Sequence, residues 1–150
     1  MIKKIIIGLL VLFVAAQFIR PEKNLSATAS PTDIETKHPV PAEVKALMKR
    51  ACYDCHSNNT HYPWYSEIQP VAWWLASHVN DGKEHLNFSE FASYSVKRTV
   101  SKLEQISETV SQQAMPLPSY TWAHPEARLT PAEITLLTDW ADTLRDDVAP

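Results

Sequence analysis

Glycine is almost missing from this chain: 150 residues contain only two, Gly8 and Gly82. Hairpin-rich β folds draw on glycine for their tight turns, so this scarcity argues against one. Cysteine is as scarce, with Cys52 and Cys55 alone. No second pair exists to complete a four-ligand zinc site, and no cysteine stands after the leader where a lipid would be attached. Basic residues are also outnumbered, 14 against 17 acidic, for a net charge of −3. Residues 1–20 hold Lys3, Lys4 and Arg20 and no acid, so the remainder carries −6. Nucleic-acid binding runs on basic patches and is not expected here. The acidic surface could steer a basic partner, but it serves more simply to keep the domain soluble. No internal repeat and no credible strand occur. Proline, by contrast, is plentiful at 11 and falls between the periodic stretches as punctuation.

The length suits one domain with a core plus one extension. Lys3 and Lys4 precede an apolar run from Ile5 to Ile19 broken only by Gly8 and Gln17. Two readings compete for residues 1–20. One is a signal peptide cleaved after Val14-Ala15-Ala16. The other is a retained transmembrane anchor with its lysines inside. The anchor is preferred, because Phe18 and Ile19 carry the apolar run past the cleavage site, although the run is short for a span. Either reading exports the rest of the chain and places it on the periplasmic side of the membrane. Residues 21–41 are rich in Pro, Ser, Thr and Ala and read as a flexible linker. The domain proper spans 42–150.

Helical periodicity marks that domain as all-α, with four to five helices. Val44, Leu47, Met48 and Ala51 form one stripe. Ser66 with Gln69, or Pro70 at a first helical position, starts an apolar helix from Val71 to Val79 that stops near Asn80-Asp81-Gly82. A third helix is expected over 92–111, with Val96, Val100, Leu103, Ile106 and Val110 in line. Residues 112–129 read as a proline-rich loop. The last helix has Thr130 as cap, Pro131 first inside and Glu133 closing a capping box, with a stripe of Ile134, Leu137, Trp140, Ala141 and Leu144.

Chemistry concentrates at Cys52-Tyr53-Asp54-Cys55-His56. C-x-x-C-H is the attachment signal of c-type haem. Two thiols two residues apart reach two vinyl groups on one porphyrin edge, and the following imidazole lies under the iron as its proximal ligand. A zinc half-site, a thioredoxin-like redox pair and a plain disulfide are the alternatives. The adjacent histidine, the export signal and the helical pattern all favour haem. For the sixth iron position the leading residue is Met115, in a loop stiffened by Pro116 and Pro118; its soft sulfur would raise the potential. The bland alternative is a gap-filling core methionine. His78 is the rival, sharing a helical face with Val71, Trp74 and Leu75. Met48 precedes the attachment site on its own helix, and Met1 is remote. His61, His85 and His124 read as surface or turn residues. An open or water-bound position is the remaining option. Of five tryptophans, Trp74 and Trp140 read as core and Trp64 as a possible haem contact.

The run CYDCHSNNTHYPWYSEIQPVAWWLASHVNDGKEHLNFSEF, followed by MPLPSYTWAHPEARLT, resembles the haem-binding domain family of small exported bacterial proteins. The likeness covers about residues 42–145 and the N-terminal hydrophobic segment. It implies a single covalent haem on Cys52 and Cys55 with His56 as proximal ligand. Met115-Pro116 and LTPAEITLLTDWA are similar to the end of class I cytochromes c, which maps the distal ligand onto Met115. Segment 57–111 departs from that pattern, so a cytochrome c-like fold is implied mainly at the two ends. The expected function is electron transfer by a membrane-anchored monohaem cytochrome, more a carrier than a catalyst, with an unknown redox partner protein. A haem enzyme or small-ligand sensor with a labile sixth position is the alternative, and a haem-free module stapled by a disulfide the third reading.

Overall fold

The computed structural model describes residues 1–149. Among them are seven α-helices: α1 (Ile2–Ala16), α2 (Ala42–Ala51), α3 (Tyr53–His56), α4 (Val71–His85), α5 (Val96–Ser111), α6 (Pro118–Ala123) and α7 (Pro131–Val148). Short 3-10 turns lie at Ile34–Thr36, Trp64–Glu67, Phe88–Ser93 and Pro125–Ala127. No strand occurs among the described residues, only an isolated antiparallel bridge between Leu25 and Asn59. The all-α expectation holds; the helices are more numerous than four to five because short ones occupy the loops.

The core is built from the stripes that the periodicity marks. Val44, Leu47 and Met48 of α2 meet Leu103, Ile106 and Val110 of α5 and Leu137, Trp140, Ala141 and Leu144 of α7. Burying each large aliphatic side chain contributes roughly 1.5–3 kcal/mol. Phe88, Phe91 and Tyr94 from the 3-10 turn and its edge fill one end. Helix α7 begins as read: the Thr130 side chain accepts from the Glu133 N–H, and the Glu133 side chain accepts from the Thr130 N–H. Such a cap contributes about 1 kcal/mol.

Other elements depart from expectation for identifiable reasons. The segment 21–41 is laid on the domain in several places. Ile34 is fully buried in the core, and Asn24 Nδ2 donates to the Ser57 carbonyl and the Thr60 hydroxyl. Composition counts residues, and one buried isoleucine with a few side-chain bonds suffices to seat such a segment. Helix α5 starts at Val96, where Ser95 Oγ caps the Arg98 N–H, because Asn87 nucleates a separate turn just before it. Val96 is consequently exposed, and Thr99 takes the inward position. The Ser66–Gln69 capping box does not form, and Pro70 is the cap residue of α4 rather than its first residue. Trp74, read as core, is about half exposed.

Helix α1 is apolar from Ile5 onward, after Lys3 and Lys4, and has no buried residue. At 15 residues and 1.5 Å per residue it is about 22 Å long, short of the ~30 Å hydrocarbon layer. Among the described residues no helix is long and apolar enough to cross a membrane.

Candidate functional site

Helix α2 ends at Ala51, the backbone breaks at Cys52, and α3 rewinds for a single turn. In that turn the N–H groups of Cys55 and His56 both bond to the Cys52 carbonyl, which places both sulfurs and the imidazole on one short unit. Helix α4 runs across its back. It does not stop at Gly82, as the Asn-Asp-Gly sequence implies, but continues to His85. Gly82 serves close approach instead: a Cβ there would sit 2.6 Å from the Cys55 carbonyl oxygen.

That approach organises His56. Its Nδ1 lies 2.9 Å from both the Gly82 and the Leu86 carbonyl oxygens. Carbonyls only accept, so Nδ1 carries the hydrogen and donates to both, leaving Nε2 with a free lone pair. Metal-binding histidines are commonly oriented by such a backbone acceptor. Burial holds the His56 pKa below its usual value, although the two carbonyl bonds pull the other way. Buried His38, beside Phe91, is also held low, by burial and by Lys37. Both histidines are therefore neutral in the folded chain and take up protons more readily when it unfolds. Their contribution to stability is complete above pH ~6.5 and is lost as pH falls below that value. The thermal midpoint of the haem-free chain should drop between about pH 7 and pH 5; a flat profile would contradict neutral burial of these rings.

Cys52, Cys55 and His56 open on a cleft of about 370 Å3. Met115 and Leu117 lie on it from the loop after α5, and His78 and His85 from α4. A second cleft of about 200 Å3 shares Cys52, His56, His85 and Met115, so the two adjoin, and Phe88, Ile106 and Val110 line it. The structure thus brings Cys52, Cys55, His56, Met115 and His78 together. It adds His85, which sequence position alone marks as a surface residue. His78 and His85 lie two turns apart on α4. Each ring bonds through Nδ1 to the carbonyl four residues back, Trp74 and Asp81, leaving Nε2 uncommitted. Trp64 is not brought in: it is 76% exposed, rests edge-on against Tyr65, and lines neither cleft.

Met115 is placed by a helix ending without glycine. Gln113 takes a left-handed conformation at φ 55°. The Gln113 N–H bonds to Val110 and the Ala114 N–H to Thr109, closing α5 as glycine usually does. The Met115 N–H also bonds to the Thr109 carbonyl. A second tie comes from inside the C-x-x-C-H unit. Asp54 accepts from the Tyr120 hydroxyl at 2.7 Å and from the His61 N–H at 3.0 Å. Tyr120 stacks on His124, and His124 in turn bonds to the Tyr65 hydroxyl and to Glu126. Helix α6 and the loop before it are thereby latched to the C-x-x-C-H turn.

Both cysteines are free thiols. Burial, and then the neighbouring Cys55, pushes the Cys52 thiol up to about 12. Burial, and then Asp54, pushes Cys55 up to about 11. A redox pair needs an easily formed thiolate, so this environment does not suit thioredoxin-like exchange. Among the described residues no cluster of three or more His, Cys, Asp or Glu side chains is arranged for a bare metal ion. A metal carried inside a macrocycle needs only axial ligands from the chain, and the donors on this cleft fit that requirement: a histidine with its Nε2 free, a thioether, and two thiols on one turn.

A small helical domain with these groups around one cleft is cytochrome-like. The family model described as a haem-binding domain matches residues 11–143, and the chain belongs to that family. The match includes the C-terminal part of α1, from Val11, and the whole segment 57–111 in which the cytochrome c likeness fails. No curated protein and no solved structure matches the chain.

Proposed function

We propose that this haem-binding chain carries one haem joined covalently to Cys52 and Cys55, with His56 and Met115 as axial ligands, and works as a membrane-anchored electron carrier. The observation that supports it most is His56, whose Nδ1–H is committed to two carbonyls while its Nε2 is free beside the two thiols. A haem held there supplies a one-electron iron couple. The chain's residues do the rest. Cys52 and Cys55 tether the ring, His56 presents a neutral imidazole, and Met115 offers a soft sulfur that favours the reduced state. Phe88, Ile106 and Val110 give the adjoining cleft an apolar wall. Helix α1, apolar after its two lysines and without a buried residue, supports anchoring, and those lysines before the apolar run favour a periplasmic domain.

His85 supports a second reading, a bis-histidine centre, because it lines both clefts as Met115 does. Protein made with haem-maturation machinery should show by mass spectrometry the addition of one covalent haem; an unmodified mass would exclude covalent attachment. The oxidised protein should show the weak near-infrared band of sulfur ligation, lost in Met115→Ala and kept in His85→Ala. If the wild type lacks the band, methionine is not the ligand. Rapid carbon monoxide binding by the reduced wild type would instead favour an enzyme or sensor with a labile sixth position.

A further inference from the structure

The apolar helix α1 is fastened to the folded domain at one joint. Gln17 Oε1 accepts from the Gln69 N–H at 2.9 Å, and the Gln69 side-chain amide donates to the Ile19 carbonyl at 2.8 Å. Trp73 Nε1 donates to the same carbonyl at 3.0 Å. Gln69 itself is buried, so α1 meets the domain beside Trp73 through a specific contact rather than a slack tether.

From that joint outward the surface is aromatic. Trp73, Trp74, Trp64 and Trp122 are 40%, 48%, 76% and 83% exposed. They belong to one connected region. Trp64 lies edge-on to Tyr65, and Tyr65 contacts His124 just after α6, the helix that carries Trp122. Trp74 lines the groove that Tyr65 and His124 share between α4 and α6. Four of the five tryptophans are thus solvent-exposed, and Trp73 stands at the joint that receives α1.

Indole rings are apolar in body and polar at the N–H, and they concentrate where a bilayer meets water. The length of α1 points the same way. A helix of about 22 Å falls short of ~30 Å of hydrocarbon, and the shortfall draws the surface fixed to its end towards the headgroups. Arg20 and Lys23 stand at the joint with Glu22 and Glu67, two cations with two carboxylates, so the joint is neutral and seating on a bilayer rests on the aromatics and the helix length.

We infer that this aromatic face rests on the phospholipid bilayer that receives α1, so that the domain is seated on the membrane rather than suspended from it. The inference rests on the reading of α1 as a retained anchor. It has a consequence for the site: the groove beneath Trp74 shares Cys55, His78, Leu117 and Tyr120 with the haem cleft, so that edge of the cleft lies close to the bilayer.

The test uses the full-length, haem-loaded chain in nanodiscs of phosphatidylcholine and phosphatidylglycerol, doped with a phospholipid photoreactive at headgroup depth. Labelled peptides are mapped by mass spectrometry. Labels are expected on residues 1–20 and also on the peptides holding Trp64 to Trp74 and Trp122. A Trp64→Gln/Trp122→Gln variant should lose domain labelling several-fold while keeping that of α1. Labels confined to residues 1–20 would overturn the seating and leave the anchor standing. Failure of the chain to enter nanodiscs would remove both. If the variant does not fold, the wild-type map alone decides.

Discussion

Gly82→Ala is expected to destabilise the protein by about 1–3 kcal/mol and to loosen His56. At an unhindered site inside a helix the same change stabilises by roughly 0.5–1 kcal/mol, because alanine costs less backbone entropy than glycine. Here the added Cβ would meet the Cys55 carbonyl oxygen at 2.6 Å and Cys55 Cβ at 3.1 Å. These atoms belong to the main chain and its first side-chain carbon, so no rotamer change relieves the clash; the helix or the attachment turn must shift. Either shift lengthens the contacts from His56 Nδ1 to the Gly82 and Leu86 carbonyls. Denaturant midpoints of the haem-free chain give the stability change, and the haem yield per chain gives the effect on the site. A more stable variant with normal haem yield would show that α4 has slack against the attachment turn.

His56→Gly is expected to abolish the low-spin haem spectrum, and exogenous imidazole should restore it. The glycine leaves the Leu86 carbonyl without its donor, at a cost of about 1–3 kcal/mol in the folded chain, while the Gly82 carbonyl keeps the Leu86 N–H. On the proposed ligation it would also leave the iron without its nitrogen ligand, with both thiols still present for attachment. Imidazole can occupy the vacated space, donate to the carbonyls and present its other nitrogen. Recovery of the spectrum with imidazole, measured beside Met115→Ala, separates the loss of a ligand from a collapse of the fold. A low-spin spectrum in His56→Gly without imidazole would mean that another side chain, His78 or His85, holds the iron.

Legibility in this chain tracks the range of the interaction. The C-x-x-C-H unit is legible because its geometry is confined to one turn, and helices α2 and α7 because a buried stripe repeats at helical spacing. The Thr130–Glu133 cap is equally local. Gly82 is misleading in isolation: after Asn80-Asp81 it looks like a helix end, whereas it answers to Cys55, 27 residues earlier in the chain. Gln113 carries no signal at all, since it occupies a left-handed position usually held by glycine and is kept there by its own N–H on Val110 and the next two N–H groups on Thr109. Asp54 is one of the variable residues inside the motif, and only Tyr120 in space gives it a role. His85 looks like a helix-end surface residue because its neighbours across the cleft come from other elements.

The amino-acid sequence by itself determined the helical class and the Cys52–His56 unit, because each depends on residues within a turn or two of one another. Tertiary structure alone decided which nitrogen of His56 is free, which loop faces it and which aromatics stay exposed. Those outcomes depend on carbonyls, cavities and surfaces contributed by segments tens of residues apart, whose meeting is set by how α4, α5 and α7 pack and not by any local pattern.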